Sequence, residues 1–326
     1  MKPRWAVCGT GRMAATFLNV LKQAKKHVTT VISSDLKRAQ SFALKHAVPN
    51  YYSYEDIDFA QFDIVYVATV NKRHMPDSIM CLRKGKSVLC EKPIALNTDQ
   101  LQAMTAAAKE NNALLAEALW TAYLPAIHKT KELINNGAIG KVISLDCRFC
   151  IYIPRSVSRL YDQNGGGALL DIGIYNLFFA RLILGEFVEM KATIKRDRQG
   201  IDLIDKITLQ NAQGAKANLI SSIKKKIPII KAVILGEKGK IIVPYFIGAH
   251  KVILRAKDAV KTFSFTHKIN GYEYEIEHFE QLHQSNQKQS PIFSLKDSQE
   301  LLKIMESILK NPNLSFKKHK IISKLQ

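Results

Sequence analysis

Lys92 is the residue of this sequence whose chemical type and position most suggest catalysis. It follows an apolar run at 88–90 and stands between Glu91 and Pro93. The run predicts a buried strand, and open α/β sheets bind their ligands beyond the carboxyl ends of the strands. An ammonium group at such a point makes Lys92 a candidate catalytic residue. Taken alone, these residues also fit a charged residue that only closes a strand before a proline.

A glycine-rich turn early in the chain has the G-x-G-x-x-A pattern of loops that bind dinucleotides. It follows a predicted strand at 4–8 and precedes an amphipathic helix. The first glycine permits a sharp bend, the second lets backbone approach a pyrophosphate, and the helix N-terminus offers N–H groups to the phosphates. We therefore expect a dinucleotide, although a glycine turn without a ligand fits too. The candidate cofactor-binding residues of this turn are Gly9, Thr10, Gly11, Arg12 and Met13.

The residues after the second predicted strand bear on which dinucleotide binds. NAD-dependent enzymes usually have a carboxylate here for the adenosine ribose. In this chain the strand ends in Ser33 and Ser34, and Asp35 has the position of a helix N-cap. Lys37 and Arg38 could neutralise a 2′-phosphate, so the sequence favours NADP, with NAD as the alternative. Both basic residues also fit the exposed first turn of a helix. Ser33, Ser34 and Arg38 are candidate cofactor-binding residues.

Two polar residues after the strand predicted at 63–69 are expected on the crest of the sheet, beside the nicotinamide half of the cofactor. They are Asn71 and His74, although a lone histidine is as often the first residue of a helix. The other candidate cofactor contacts are Thr69, Glu91, Lys92 and Trp120.

A second group of candidate residues lies in a helix predicted at 167–184, directly after a triple glycine at 165–167. Asp171 and Tyr175 are four residues apart and therefore share one helix face. The residues of the opposite face are apolar: Leu170, Ile174, Leu177 and Phe178. This arrangement predicts a substrate site in which Asp171 and Tyr175 are catalytic. The alternative is a solvated helix face.

The first 119 residues contain a regular alternation of elements that would position the cofactor residues. Strands are predicted at 4–8, 28–33, 63–69, 87–90 and 113–116, with helices between them. Asn97 and Gln100 have the spacing of a capping box at the start of one of these helices. Such βαβα alternation predicts an α/β fold, a doubly wound parallel sheet of the Rossmann type, with an NAD(P)-binding domain at 1–119.

The remaining residues, 120–326, have a different pattern. Helices are predicted at 124–136, 167–184, 272–285 and 296–309, and a strand at 142–152 precedes short strands between 188 and 265. Consecutive strands that are joined by short turns are mostly antiparallel. We therefore predict a C-terminal α+β domain with a large, mostly antiparallel open sheet that binds the substrate.

The net charge of +20 is the unusual bulk property of this chain. Such a charge could indicate a nucleic acid, an anionic surface or an acidic substrate. The lysines are scattered, however, and no basic stripe with interleaved aromatic residues accompanies them. We interpret the short basic clusters at 224–226 and 317–320 as solvated surface, so a nucleic acid is not an expected partner.

The cysteines and the hydropathy pattern bear on the compartment. Five cysteines are few and odd in number, which argues against a disulfide framework. Cys147 and Cys150 have a C-x-x-C spacing but lie in a predicted strand with no second pair, so we expect buried apolar side chains and no metal site. No signal-peptide core and no run of 18 apolar residues are present. We expect a cytoplasmic protein without a membrane span.

Taken together and in order, these motifs resemble the glucose-fructose oxidoreductase and inositol dehydrogenase (Gfo/Idh/MocA) family over nearly the whole chain. The segments that carry the resemblance are 9–14, 90–93, 117–120, 165–175 and 236–239. Within the family the chain is most similar to the dimeric dihydrodiol dehydrogenase and NADP-dependent D-xylose dehydrogenase branch, through 153–155, 170–175 and 271–278. It departs from relatives at two positions. Relatives usually have arginine at the position of Ala122, and some NADP-using relatives have arginine at the position of Ser34.

The resemblance implies an NADP-dependent dehydrogenase that transfers a hydride between the nicotinamide and a hydroxyl-bearing carbon of a sugar, polyol or cyclic vicinal diol. It implies Tyr175 as acid/base, Lys92 as electrostatic and proton-relay partner, and Asp171 as support. A free tyrosine has a pKa of about 10, and an ammonium within roughly 4–6 Å would favour the tyrosinate. The resemblance also implies a homodimer or larger oligomer that forms through the open face of the second sheet.

Two other functions stay open at this point. One is an oxidoreductase that keeps its cofactor tightly bound and exchanges hydride between two sugars. The other is a non-enzymatic cofactor-binding sensor, which the charge of +20 motivates, because a fold does not fix a function.

Overall fold

The computed structural model describes residues 2–256 and 259–317. The described chain forms two compact units. Unit 1 comprises residues 2–124 and Thr266–Lys303, and unit 2 comprises Pro125–Phe265 and residues 304–317. Three members of the second basic cluster, Lys318, His319 and Lys320, lie outside the described residues.

The strands form two sheets, one in each unit. In chain order the strands are β1 (Arg4–Cys8), β2 (His27–Ile32), β3 (Asn50–Tyr52), β4 (Ile64–Val67), β5 (Ser87–Glu91), β6 (Leu115–Ala118), β7 (Val142–Tyr152), β8 (Phe187–Arg196), β9 (Asp202–Asn211), β10 (Lys216–Ser222), β11 (Lys224–Gly236), β12 (Gly239–Pro244), β13 (Lys251–Ala256), β14 (Ala259–Ser264) and β15 (Ser315–Lys317). The α-helices are α1 (Arg12–Gln23), α2 (Leu36–Lys45), α3 (His74–Leu82), α4 (Thr98–Glu110), α5 (Pro125–Asn135), α6 (Ile174–Leu184), α7 (Tyr272–Gln284) and α8 (Leu295–Lys310).

The six-stranded sheet of unit 1 is parallel throughout, in the order β3-β2-β1-β4-β5-β6. Every residue of β4 and of β5 is buried, as expected for strands that are covered on both faces by helices. The winding reverses between β1 and β4, and ligands bind at such a switch point, beyond the carboxyl ends of the strands. The predicted doubly wound parallel sheet is therefore confirmed.

The core of unit 1 includes a helix from late in the chain. Phe17 of α1 is fully buried and stacks on Tyr66 of β4, with ring centroids 3.6 Å apart. Phe279 of α7 lies against Trp5 of β1, and the indole Nε1 of Trp5 donates a hydrogen bond of 2.7 Å to Glu280 Oε1. The chain thus returns to unit 1 after unit 2, which the helical periodicity at 272–285 did not indicate.

The nine-stranded sheet of unit 2 has the order β14-β13-β12-β11-β7-β10-β9-β8-β15. Its neighbours are antiparallel except for β7 and β10, which are parallel. Helix α6 packs on β7 and β10. Along β9, Ile207 and Leu209 are buried, whereas Lys206 and Thr208, which alternate with them, are exposed. The prediction of a large, mostly antiparallel sheet is confirmed.

Several elements differ from the sequence-based expectation. Strands β3 and β15 were not predicted, because three residues are too few to show an alternating pattern. Strand β6 begins at Leu115, two residues later than expected. The helix predicted at 167–184 begins with a π-helical segment, Leu169–Gly173, and continues as α6.

The predicted cap of α4 is present in a modified form. Asn97 accepts a hydrogen bond of 2.9 Å from Gln100 N, as an N-cap residue does. The Gln100 side chain, however, accepts from Leu96 N at 3.0 Å instead of from Asn97 N. The cap therefore satisfies a backbone group one residue before the expected one.

Cys147 and Cys150 are buried, as predicted. The Cys147 thiol donates to Asn176 Oδ1 at 3.3 Å, and the Cys150 thiol donates to the Ile220 carbonyl at 3.6 Å. Within residues 2–256 and 259–317, no helix combines the length and the apolarity that crossing a membrane requires.

We expect Phe17→Ala to destabilise unit 1 by about 3–5 kcal/mol, because truncation leaves a cavity in a fully buried aromatic stack. The measurement is the free energy of unfolding from chemical denaturation. Leu44→Ala is the matched control, since Leu44 of α2 is 72% exposed and its truncation should cost less than about 0.5 kcal/mol. Equal losses in both variants would contradict this assignment of the core.

Candidate functional site

Gly9 is required by the packing of the backbone itself. It has a φ of +115°, and a Cβ atom added there would lie 2.6 Å from the Ala68 carbonyl oxygen. Its N–H donates to the Ile32 carbonyl at 2.8 Å. Gly9 therefore lets the turn after β1 pass close to the ends of β2 and β4, as its predicted role in a sharp bend requires.

Gly11 has open space above it. No atom lies within 4 Å of the position that a Cβ atom would take, and the residue has φ −82° and ψ −177°, which other residues also adopt. Gly11 is the N-cap of α1, yet no side chain caps this helix and its first turn has no acidic residue. A helix N-terminus with uncapped N–H groups and open space above it fits a pyrophosphate.

The neighbours of Gly11 differ in exposure. Thr10 is partly buried and Arg12 is exposed. Met13 is partly buried and packs on the core of unit 1. Thr10 and Arg12 are thus accessible to a ligand at the turn, whereas the side chain of Met13 packs on the core.

The end of β2 has a cluster of polar side chains. Asp35 accepts a hydrogen bond of 2.7 Å from Arg38 N, which confirms it as the N-cap of α2. Arg38 Nη2 donates to Ser34 Oγ at 3.0 Å, and the Arg38 side chain is 63% exposed. Ser33 is buried and its hydroxyl accepts from Asp35 N at 3.4 Å. A guanidinium and a hydroxyl are therefore adjacent here, while the carboxylate is occupied by the helix.

Lys92 lies where the sequence predicted, directly after β5. The turn that carries it is held on both sides by buried acidic residues. Glu91 accepts from Lys92 N through Oε2 at 3.2 Å and from the Tyr66 hydroxyl through Oε1. Glu117 of β6 accepts from Ile94 N through Oε1 at 3.0 Å. The backbone on either side of Lys92 is thus fixed by a carboxyl group.

His74 joins this turn to the end of β4. Its Nδ1 lies 2.8 Å from the Pro93 carbonyl oxygen, and its Nε2 lies 3.2 Å from the Thr69 carbonyl oxygen. The ring is 1% exposed, and burial lowers the pKa of the imidazole, which favours the neutral ring. A neutral ring has one N–H and therefore donates to one of these two carbonyl oxygens. The contacts of His74 are those of a residue that holds backbone. Thr69 has in addition a buried hydroxyl oxygen with no hydrogen-bond partner in the described part of the chain.

Trp120 follows β6 in a 3-10 turn, Trp120–Tyr123. Its ring stacks on Tyr272 of α7, with centroids 4.4 Å apart and an interplanar angle of 10°. Gly271 makes this stack possible, because a Cβ atom there would lie 2.8 Å from Trp120 Cζ3. Ala122, the expected departure from the family pattern, is buried. In unit 1 the structure therefore gathers Gly9, Thr69, His74 and Lys92, while Trp120 is fixed by the returning helix.

In unit 2, Asp171 and Tyr175 lie in and directly after the π-helical segment. Asp171 and Tyr175 are each 7% exposed. A π-helical segment replaces the first turn of the predicted α-helix, and the shared face of Asp171 and Tyr175 stays a prediction. The apolar residues of the predicted opposite face are buried as well, so the solvated face is excluded.

Sequence reasoning missed the partner of Asp171. Arg159 Nη1 donates to Asp171 Oδ1 at 3.0 Å, and the Tyr175 ring lies 5.9 Å from that of Phe149. The ion pair between Arg159 and Asp171 therefore fixes the Asp171 carboxylate from within unit 2. A basic residue in the loop before the triple glycine was the available signal, but a long loop gives no spacing rule for contacts.

The triple glycine before this segment serves the protein's own packing. A Cβ atom at Gly166 would lie 2.6 Å from the Asp162 carbonyl oxygen, and one at Gly167 would lie 1.8 Å from Asp202 Oδ1. Asp202 in turn accepts from Leu169 N at 2.6 Å. Close packing against the protein's own atoms therefore explains Gly166 and Gly167 without a ligand that approaches the backbone there.

Two family models match the chain. Residues 3–119 match the oxidoreductase family with an NAD-binding Rossmann fold, and residues 127–242 match the GFO/IDH/MocA C-terminal domain. A trans-1,2-dihydrobenzene-1,2-diol dehydrogenase of Xenopus laevis is 34% identical over 328 residues, which covers 95% of this chain and 98% of that protein.

Solved structures share the fold. An aldose-aldose oxidoreductase from Caulobacter crescentus, complexed with glycerol, has a TM-score of 0.87 at 23% identity and covers 97% of this chain and 100% of its own. A 3-ketoreductase from Actinomadura kijaniata, solved with NADP, has a TM-score of 0.84 at 24% identity, with 94% and 97% covered. A levoglucosan dehydrogenase, solved with NADH and levoglucosan, has a TM-score of 0.83 at 20% identity, with 98% and 100% covered.

The two glycines of the turn should respond differently to the same substitution. Gly9→Ala places a Cβ atom against backbone at a positive φ, so we expect a large loss of stability. Gly11→Ala should keep the thermal midpoint, because its backbone angles suit alanine and no atom is near, yet weaken dinucleotide binding at least tenfold. Thermal melting and equilibrium titration with NADP⁺ provide the two measurements. Normal binding by a stable Gly11→Ala variant would refute the assignment of this turn.

Proposed function

This chain belongs to the GFO/IDH/MocA oxidoreductase family, and from that premise we propose that it is an NADP-dependent dehydrogenase. It transfers a hydride between the nicotinamide and a hydroxyl-bearing carbon of a sugar, polyol or cyclic vicinal diol. The observation that carries the proposal is Lys92 at the carboxyl end of β5, on a turn that buried side chains hold. In this proposal residues 1–119 bind the cofactor and residues 120–326 bind the substrate.

The choice of NADP rests on the end of β2. Arg38 and Ser34 present donors at the point where an adenosine ribose is recognised, and Asp35 is occupied as the cap of α2. A 2′-phosphate would therefore meet a guanidinium instead of a carboxylate. The solved structures of the same fold include complexes with NADP and with NADH, so the fold is compatible with both.

Three residues carry the proposed reaction. The nicotinamide, when bound, supplies the acceptor or donor of the hydride. Tyr175 takes the proton of the substrate hydroxyl during oxidation and returns it during reduction. Lys92 provides a positive charge that favours the tyrosinate and passes the proton on. Asp171, held by Arg159 at 3.0 Å, supports Tyr175 by fixing the polar surroundings of the π-helical segment.

The remaining cofactor contacts of the proposal follow the strand ends of unit 1. They are Gly9 to Met13 at the pyrophosphate, Ser33, Ser34 and Arg38 at the adenosine ribose, and Thr69, Asn71, His74, Glu91, Lys92 and Trp120 toward the nicotinamide. A cytoplasmic location and a homodimer or larger oligomer stay predictions.

The direct test of the proposed function is reduction of NADP⁺ and NAD⁺ against a panel of pentoses, hexoses, inositols, sugar phosphates and cyclic diols. We expect NADP⁺ reduction with at least one of these classes. Nucleotide retained after purification would favour the alternative of an oxidoreductase that keeps its cofactor bound and exchanges hydride between two sugars. Absence of any reduction, together with salt-dependent retention on DNA, would refute the proposal in favour of a sensor.

Tyr175→Phe and Lys92→Ala should each lower kcat by at least about 10²-fold, the lower range of general acid–base contributions, while NADP⁺ still binds. If the two residues act as a unit, the double variant should lose little more than the worse single variant. Steady-state kinetics and NADP⁺ titration are the measurements. Tyr245→Phe, at a tyrosine that is 45% exposed, and Lys109→Ala, at an exposed lysine of α4, are the controls. Near-normal turnover in both test variants would remove these roles.

Arg38→Ala should raise the Kd for NADP⁺ by about 10- to 100-fold, because hydrogen bonds to a charged group contribute about 1.5–3 kcal/mol. The Kd for NAD⁺, which lacks the 2′-phosphate, should change little. Arg83→Ala is the control: Arg83 is exposed at the C-terminus of α3. Equal weakening of both dinucleotides would show that Arg38 does not read the 2′-phosphate.

A further inference from the structure

Glu117 is a buried acid whose carboxyl group reaches the turn that carries Lys92. It belongs to β6 and is 2% exposed. Its Oε1 accepts the hydrogen bond of 3.0 Å from Ile94 N, two residues beyond Lys92. Ile94 itself is fully buried, so its N–H needs a partner within the protein. Glu117 is thus a fixed support of this turn.

The environment of Glu117 makes its charge sensitive to pH near neutrality. Burial raises the pKa of Glu117 to about 7, and the charge of Glu91 acts in the same direction. The Ile94 N–H and the charge of Lys92 lower this pKa, as does the nearby Ser298 hydroxyl, although this buried hydroxyl forms no hydrogen bond of normal geometry with any described residue. A carboxyl group that contacts the Lys92 turn is therefore neutral below about pH 7 and negative above it.

Two charged groups, Glu91 and Lys92, act on the Glu117 carboxyl group near neutral pH. Cys90, its register partner on β5, has a pKa well above the usual value because of burial. Tyr123, in the 3-10 turn after β6, also has a raised pKa through burial. Neither ionises near neutral pH, so Glu91 and Lys92 are the charged groups that act on Glu117 there.

We propose that Glu117 is a positioning residue for Lys92 and that turnover requires Glu117 in its carboxylate form. This inference rests on the proposed function of Lys92. A carboxylate accepts the Ile94 N–H in a charge-assisted hydrogen bond, which is about twice as strong as a neutral one. It also attracts the Lys92 ammonium. Protonation removes both effects, and the turn then holds Lys92 less firmly.

The first test compares kcat against pH in the wild type and in Glu117→Gln. In the wild type kcat should rise as pH increases through about 7, where Glu117 loses its proton. Glu117→Gln keeps a side-chain oxygen for Ile94 N but never acquires a charge. We expect this variant to lack the rise near pH 7 and to have about tenfold lower kcat at pH 8 than the wild type, with little change in KM. Glu110→Gln, at an exposed glutamate of α4, is the matched control and should keep the wild-type profile.

The second test measures the titration of Glu117 without any assay of activity. Carbon-13 labelling of glutamate carboxyl groups gives a resonance that is absent in Glu117→Gln and whose midpoint in the wild type should be about pH 7. Lys92→Ala should move this midpoint to higher pH, since the Lys92 charge lowers the pKa of Glu117. This result is expected whether or not Lys92 takes part in catalysis.

A third variant covers the case in which Glu117→Gln does not fold. Ser298→Ala keeps the carboxyl group but removes a hydroxyl that lowers the pKa of Glu117. The carboxyl midpoint and the rise in kcat should therefore shift together to higher pH, with the same kcat plateau. A shifted midpoint with an unmoved kcat profile would overturn the positioning role. Normal turnover in Lys92→Ala, with the carboxyl midpoint moved to higher pH as expected, would overturn the proposed function of Lys92 instead.

Discussion

The parallel alignment of β1, β4, β5 and β6 is the constraint on which the rest of unit 1 depends. Parallel strands end at one edge of the sheet, where the backbone leaves the ladder and its polar groups need new partners. Side chains provide these partners at several points: Asp35 caps α2, Asn97 caps α4, and Glu91 and Glu117 hold the Lys92 turn. The N-terminus of α1 has no such side chain. At this edge, side chains therefore satisfy the backbone polar groups at several points, whereas the N–H groups at Gly11 and the start of α1 can bind a ligand.

Much of this edge could be predicted from the sequence, because its signals are local. The apolar run before Lys92, the glycine spacing and the cap at Asp35 each depend on residues close together in the chain. The supports of the Lys92 turn could not be predicted in the same way. Glu117 precedes Trp120 in a family motif, but its contact with Ile94 depends on the register between β5 and β6. A single sequence contains no signal that specifies which acid faces which turn.

The second unit shows a different limit of sequence reasoning. Helical periodicity identified the segment that contains Asp171 and Tyr175, but not the π-helical turn at Leu169–Gly173, because a single wider turn leaves the composition and the apolar pattern almost unchanged. Asp202 holds the start of this segment through Leu169 N, in space that exists only because residue 167 is glycine. Burial raises the pKa of Asp202, so this support costs stability. The glycine and the buried acid are two parts of one arrangement that are far apart in sequence.

The net charge of +20 is a poor guide to the electrostatics around Lys92. Among the described residues of unit 1, five glutamates are buried, including Glu91, Glu117 and Glu275. Burial followed by the charge of Glu91 raises the pKa of Glu275 well above its usual value. Buried acids that repel one another lower the stability of the fold. A protein keeps such acids where they fix a functional element. The buried acids linked to Lys92 are Glu91, its neighbour in sequence, and Glu117, whose pKa the Lys92 charge lowers. The scattered surface lysines, by contrast, act through water and are screened by salt. An acidic substrate therefore does not follow from the bulk charge, and the choice of substrate depends on the groups that line the site.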